Sequence, residues 1–575
     1  MKNSWLKWLP ISSWLPDYSR HDATKDGLAA IIVTLMLIPQ SLAYAMVAGL
    51  PPVVGLYASI LPLIAYTLLG TSKTLAVGPV AVISLMTAEA VAPLFEMGSQ
   101  GYITAAATLA FLSGIVLFLM SVLRLGFLTT FLSHPVLSGF MTASGILISI
   151  GQFKHILGVP LHGENVIQRL TNLILALPQT NFYTLLIGVS CLIVLIYARK
   201  SLRPNLIKLG LSSELASHAT KLAPVIVMIL SIVLVALFDL DKKGVSVVGQ
   251  IPSGLPSFSL PLLDLALIGD LLPAAILVSI IGFVESASVG QTLAAKRRQR
   301  IEPNQELIAL SGANIASAIN GGFPVTGGLS RSVVNYDAGA ETPLAGTFTA
   351  IGIGITVLYF TPLFTYLPHA VLAATIIVAV SALIDVKAII QTWKSTKSDA
   401  IAMFLTIIGV LAFNVEIGIL AGLATSLALF LWRTSRPHIA VVGLIEGTQH
   451  FRNILRFNVI QSKTVLSLRI DESLYFANAR YLEDKIPEYL EEYPQTQDLV
   501  LMLSGVNMVD ASALESLTLI HDRLKESEIQ LHLSEVKSPV LDDIKKSDFF
   551  EHFKGKVYIS QYEAMADLDS SIFNS

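Results

Sequence analysis

The chain holds one cysteine, Cys191, inside the apolar run LLIGVSCLIVLIYA. No disulfide can form within it, and no thiol or zinc cluster is available, so Cys191 reads as a buried or lipid-facing thiol. Charge is equally scarce. Asp, Glu, Lys and Arg make up 14% of 575 residues, against 53% hydrophobic residues. That balance excludes a large soluble enzyme and fits a membrane protein. Net charge is −3, so no global basic field points to nucleic acid as a partner. No nucleotide-binding loop, catalytic triad or metal-ligand cluster occurs, so neither an enzyme nor a metal or cofactor is expected. The eleven histidines are scattered; His134 and His155 read as interfacial or structural rather than as ligands. The first residues lack the early apolar stretch of a cleavable signal. They read as a cytosolic or interfacial segment over 1–26, with Trp5, Trp8 and Trp14 at headgroup depth.

What the chain has is apolar runs of spanning length. They start near 27, 52, 79, 101, 134, 181, 221, 271, 304, 326, 342, 369, 398 and 415, several of them short or broken. Fourteen spans over 27–433 follow. Basic residues cluster at Lys2, Lys7, Arg20 and Lys25, at Arg199, Lys200, Arg203 and Lys208, in AAKRRQR, at Lys387, Lys394 and Lys397, and at Arg433 and Arg436. With fourteen spans all these clusters fall on one side, which the positive-inside rule makes cytoplasmic, with both termini there. The expected location is a bacterial inner (plasma) membrane, with membrane lipid as a partner. After Arg436 charge rises, as in EDKIPEYLEEYPQTQD, and apolar stretches shrink to strand length. TVLSLRI, DLVLML and IQLHLS read as strands and ASALESLTLIHDRLKE as an amphipathic helix. A small cytosolic α/β domain is expected at 445–570.

One stretch resists the span reading. Residues 321–335, GGFPVTGGLSRSVVN, mix four glycines, a proline and an arginine between apolar segments, and AVGPVAVISL at 76–85 is its counterpart. Pro79 and Pro324 lie 324 − 79 = 245 residues apart, and Gln40 and Glu285 lie 285 − 40 = 245 apart. One offset for two pairs of polar features points to two halves, about 27–200 and 221–433. Seven spans in each would give them opposite topology. Proline suits the first turn of a helix, so Pro79 and Pro324 are expected to start half-helices in mid-membrane. The extended residues before them must then line a protein-enclosed cavity. Two facing helix N-termini offer free N–H donors and positive dipole ends, which suits an anion. Two kinked structural helices are the alternative. A membrane-buried arginine is costly without a partner or cavity. Arg331, expected about two turns into the second half-helix, would add positive potential. Glu285 is the acidic residue of its span, and could pair with Arg331 or carry a proton.

IPQSLAYAMVAGLPPVVGLYASILPLIAYTLLGTSKTLAVGPVAVISL resembles the first block of the sulfate permease family, related to animal solute carrier family 26. GFVESASVGQTLA and NGGFPVTGGLSRSVVNYDAGAETPLAG resemble its second block. SLYFANARYLEDKI and VNMVDASALESL resemble its cytosolic STAS domain. The resemblance covers nearly the whole chain in order. It implies a polytopic α-helical membrane protein of fourteen spans in a 7+7 inverted repeat, with a mobile core domain and a more static gate domain. It implies an anion site between spans 3 and 10, elevator-type alternating access and a homodimer. Carried onto this chain, the site comprises Gln40 and Tyr44, backbone around Val80 and Ala81, and Leu329, Ser330 and Arg331. Glu285 matches a glutamate implicated in proton coupling. Some bacterial relatives are acidic where this chain has Gln40, so coupling through span 1 is not expected. Regulatory STAS relatives often read Asp-Ser-Ser-Gly with a phosphate-accepting first serine; here the residues are Asp510, Ala511, Ser512 and Ala513. Phosphorylation at Ala511 is impossible, so Asp510 and Ser512 are expected to shape a loop and cap the next helix.

The expected function is secondary active anion transport, with proton–sulfate symport ahead of exchange. Sodium- or proton-coupled bicarbonate or dicarboxylate transport on the same fold is an alternative, because backbone donors recognise charge and size more than identity. A membrane sensor signalling through its STAS domain to an unknown cytosolic partner is a more distant one.

Overall fold

The computed structural model describes residues 9–130, 133–160, 163, 166–252, 254–256, 258 and 264–573. Trp5 and Trp8 lie outside the described residues; Trp14 closes a short helix, Ile11–Trp14, and packs edge-on against Tyr18. The chain divides into two compact units, Met1–Ser426 and Leu427–Ser575.

Fourteen helical segments occupy the positions of the expected spans. They are α1 (Arg20–Val47), α2 (Pro52–Leu69, broken near its middle), α3 (Ala81–Val91), α4 (Gln100–Val122), α5 (His134–Leu157), α6 (Phe182–Lys208) and α7 (Ser213–Phe238) in the first half. The second half holds α8 (Leu265–Lys296), α9 (Pro303–Ile319), α10 (Leu329–Asp337), α11 (Leu344–Phe364), α12 (His369–Val380), α13 (Lys397–Ala412) and α14 (Val415–Thr434). Among the described residues, nine helices are long and apolar enough to cross a membrane; α3, α9, α10, α12 and α13 are shorter. Their outward faces are apolar: on α7, Ile229, Leu230, Leu237 and Phe238 are all more than half exposed. Water would not tolerate so continuous a patch, whereas lipid does.

Local chemistry sets the ends. Ser19 and Asp22 form a reciprocal capping box, so α1 starts at Arg20 rather than near 27. Ser212 accepts the Leu215 N–H and starts α7 at Ser213, eight residues before the expected 221 (221 − 213). Packing then sorts the helices into two groups. In one, α4 lies against α8 and α9, and α11 against α1 and α2. In the other, α5 lies against α6, α12 and α13. Helix α14 approaches α13 closely because Gly418 and Gly422 have no side chain; a Cβ on Gly422 would sit 1.8 Å from Thr406 Oγ1.

Two strands of two residues each, β1 (Val77–Gly78) and β2 (Thr326–Gly327), pair antiparallel inside the first group. They precede α3 and α10. The prolines do not start these helices. The caps are Val80 and Gly328, which lie 328 − 80 = 248 apart rather than 245. Pro79 stands one residue before its cap, and Pro324 stands four before its own, because β2 intervenes. With no N–H to give a ladder, each proline sits just outside its strand.

The second unit holds a six-stranded sheet of order β4-β3-β5-β6-β7-β8. Strands β5 (Val465–Ile470), β6 (Asp498–Met502), β7 (Gln530–Ser534) and β8 (Val557–Tyr558) run parallel. The three expected strands are β5, β6 and β7. Antiparallel β3 (Ile439–Leu444) and β4 (Phe451–Asn453) complete the sheet, and β3 begins before the expected boundary at 445. Helices α15 (Ala479–Glu492) and α16 (Ala511–Glu526) pack over it through Leu482, Ile486, Leu517 and Ile520. Asp510 caps α16: Oδ1 accepts from Ala513 N at 2.9 Å and Oδ2 from Phe476 N at 2.8 Å. Ser512 is instead an exposed residue of the first helical turn, because the helix already begins at Ala511. Replacing Asp510 with Ala is expected to cost about 1 kcal/mol locally. Hydrogen exchange of the amides at 512–514 in the full-length protein should accelerate roughly fivefold.

Candidate functional site

The half-helices α3 and α10 start side by side because β1 pairs with β2, and α8 holds that pair in place. Ser286 Oγ accepts from Gly327 N at 2.8 Å, and its hydroxyl lies 2.5 Å from Thr326 Oγ1. Thr326 Oγ1 donates to Gly282 O at 2.6 Å. On α9, Asn314 brackets Val325, accepting from its N–H and donating to its carbonyl, both at 2.9 Å. Ser332 Oγ accepts from Ala76 N at 3.0 Å, and Asn335 Nδ2 donates to Thr74 O at 3.1 Å. These bonds satisfy the extended backbone that would otherwise be intolerable at membrane depth.

The helix starts themselves are left open. Neither Val80 nor Gly328 provides a side-chain cap. The first intrahelical bonds are Ser84 N to Val80 O and Ser332 N to Gly328 O. The N–H groups of Ala81, Val82 and Ile83, and of Leu329, Ser330 and Arg331, therefore find no acceptor among the described residues. Two positive dipole ends meet at one place.

Arg331 reinforces them. It is 2% exposed, and neither Nη1 nor Nη2 has a hydrogen-bond partner among the described residues. It is the third residue of α10, not two turns in, because the helix begins at Leu329. Its guanidinium lies against Gly78 of the opposing extended segment; a Cβ there would stand 2.5 Å from Nη1. A Cβ on Gly328 would stand 3.0 Å from Nη2. Alanine at 78 should therefore displace the guanidinium and lower anion flux at least tenfold with normal expression. Gly269→Ala on α8, where a Cβ meets nothing within 4 Å, should leave flux unchanged.

A cavity of about 600 Å3 opens onto these groups. All eight expected contact and coupling residues line it: Gln40 and Tyr44 from α1, Val80 and Ala81, Glu285 from α8, and Leu329, Ser330 and Arg331. Gln40 and Tyr44 are buried, Glu285 is half-buried, and Leu329 and Ser330 face open space. No ion pair within 4.0 Å joins Glu285 to Arg331 among the described residues, so the direct pair considered from the sequence is not formed.

The cavity also contains residues that sequence reading assigned elsewhere. Arg199 and Arg203, counted there as loop charges, belong to α6, which continues through a π-helical turn at Ala198–Leu202. Arg199 donates to Ser381 Oγ at 2.9 Å and to Val378 O at the end of α12. Lys221 lines the wall because α7 starts early, and its Nζ lies 3.7 Å from Asp337. The Ser212 cap was the available signal for Lys221. Four cations against Glu285 and Asp337 leave the cavity net positive.

Comparison with known proteins gives the family. Residues 24–406 match the Sulfate permease family and residues 456–564 match the STAS domain. The chain is 34% identical to Sulfate transporter 4.1, chloroplastic, of Arabidopsis thaliana, over 98% of this chain and 84% of that protein. It is 32% identical to High affinity sulfate transporter 1 of Stylosanthes hamata, over 97% and 85%. In structure it is similar to murine Solute Carrier 26 family member A9, an anion transporter in the inward-facing state. The TM-score is 0.89 at 24% identity, covering 99% of this chain and 95% of that one. The transmembrane domain of the cyanobacterial bicarbonate transporter BicA is similar over 71% of this chain and 98% of its own, with TM-score 0.59 and 21% identity. These last two establish the fold, and in A9 the likeness extends over the carboxy-terminal domain as well. Its helices, its paired half-helices and its sequence together place this chain in the sulfate permease family of membrane transporters.

Proposed function

We propose that the chain is a secondary active inorganic anion transporter that takes up sulfate with protons by elevator-type alternating access. The observation that carries this is Arg331, buried with both terminal nitrogens unpaired beside two uncapped helix N-termini. Such a cluster is costly to bury and is offset by a dehydrated anion. Sulfate is favoured because the curated relatives named above are sulfate transporters. Elevator motion is favoured by the packing, since β1, β2, α3 and α10 travel with one helix group while α5, α6 and α12 belong to the other. Glu285 is the coupling residue and the proton the coupling ion; sodium is the alternative. Both termini face the cytoplasm of a bacterial inner (plasma) membrane, and the protein works as a homodimer whose STAS domain meets a cytosolic partner.

The test is uptake of labelled sulfate into proteoliposomes, with proton and sodium gradients imposed separately. Sulfate flux stimulated by an inward proton gradient is expected. Competition by bicarbonate or a dicarboxylate better than by sulfate would replace the cargo, and stimulation by sodium alone would replace the coupling ion. Active protein indifferent to both gradients would make it an exchanger or a channel, and no anion flux at all would favour a sensor.

A further inference from the structure

The cleft that holds Arg331 and the two open helix starts, which together form the anion cradle, has a second cavity at its other end. It spans about 440 Å3 between the same helices. On α1 the lining passes from Gln40 and Tyr44 to Met46 and Val47, on α3 from Val80 and Ala81 to Leu85 and Glu89, and on α5 from Met141 to Gln152. Eleven residues of α5 separate those last two (152 − 141), which is roughly 16 Å of helix. Leu85, Leu147 and Ile148 form the apolar lining of the second cavity. Its mouth is charged by Lys154 in the last turn of α5 and by Arg169 of the amphipathic helix Val166–Ala176.

Among the described residues, neither Lys154 nor Arg169 forms an ion pair within 4.0 Å. Arg169 spends its Nε on Gly163 O at 3.0 Å, and its two terminal nitrogens make no hydrogen bond among the described residues. Among the described residues, the one carboxylate lining the cavity is Glu89, with an oxygen engaged by Val415 N at 3.1 Å, at the start of α14. Glu416 follows Val415 but does not line the cavity. Arg169, Lys154 and Glu89 all line this one cavity. Two half-buried cations with no ion-pair partner among the described residues are an expensive arrangement at the edge of a membrane. A small oxyanion between them removes the expense, and the cavity has room for one.

We propose that this second cavity is a separate anion site, where Lys154 and Arg169 hold a small oxyanion at the membrane face opposite the basic loops before or after it occupies the cradle. The inference rests on the transport reading above, and its tests separate the two. In a Cys191→Ser background, Lys154→Cys should react about tenfold faster with an anionic than with a cationic methanethiosulfonate, because Arg169 remains; sulfate should slow the reaction. Equal rates, or no effect of sulfate, would overturn the site whatever the flux assay shows. In oriented proteoliposomes, K154Q/R169Q should raise the half-saturating sulfate concentration about tenfold from that face only, with the maximal rate within twofold. K154R/R169K should restore it. A loss of maximal rate from both faces would mean that Lys154 merely compensates the carboxyl end of α5, and would overturn the proposal. Absence of flux in the unmodified protein would count against transport and leave the thiol result standing.

Discussion

Replacing Arg331 with methionine is expected to abolish sulfate flux and at the same time to make the protein more stable. The two effects come from one fact. The guanidinium is 2% exposed and its terminal nitrogens are unpaired. In the empty protein it is a desolvated charge with little compensation, and an apolar side chain of similar length relieves that cost. In the loaded protein it makes charge-assisted bonds worth about 1.5–3 kcal/mol each. Removing two such bonds lowers apparent affinity by at least about a hundredfold. The six free N–H groups of α3 and α10 stay, so residual binding of a weakly held anion is expected. Thermal unfolding checks this directly. Sulfate at about a hundred times its Kd should stabilise the unmodified protein by about 2.7 kcal/mol. Arg331→Met should unfold at a higher temperature without sulfate and show no such increment. Arg331→Lys keeps the charge but loses the planar fork, so it should fall between the two. A variant that is less stable without sulfate would mean that Arg331 is a structural staple instead.

Much of this site was legible in the residues because its chemistry is unusual for a membrane. An arginine, a glutamate and a run of glycines and prolines stand out against apolar spans; Gln40, Tyr44, Val80, Ala81, Leu329 and Ser330 came from the family resemblance, and with Arg331 and Glu285 they reach one cavity. Depth within the helices was harder to read. Hydropathy locates an apolar run but not the cap that begins it. Ser212 and Ser19 therefore started α7 and α1 earlier than their apolar residues suggest, and Lys221 became a wall residue rather than a flank. Strands of two residues leave no periodicity, so the role of starting the half-helices went to Pro79 and Pro324, and Arg331 was placed too deep. Arg199 and Arg203 looked like loop charges because a π-helical turn carries α6 on without an apolar signal. In the second unit, parallel buried strands announce themselves as apolar runs. The edge strand β4 is three residues long, and β8 only two, so neither could be read that way.

Glu285→Gln is expected to remove the response to a proton gradient while leaving sulfate bound. Glu285 faces the same cavity as Arg331 without pairing with it. A divalent anion arriving at the cradle adds negative charge beside the carboxylate and favours its neutral form. Proton and anion then support each other's binding, and the coupling is reciprocal. The sign follows. Lowering pH on the loading side should raise sulfate affinity and uptake in the unmodified protein, and raising it should lower both. Glutamine mimics the protonated acid, so the variant should bind sulfate at high pH about as well as the parent does at low pH. Its uptake should be flat across pH and indifferent to an inward proton gradient, while exchange of sulfate for sulfate continues. The measurement is initial uptake with pH varied on one side at a time, alongside an equilibrium exchange control. If the variant still follows the proton gradient, the coupling proton travels elsewhere. If exchange is lost too, Glu285 holds the site together rather than coupling it.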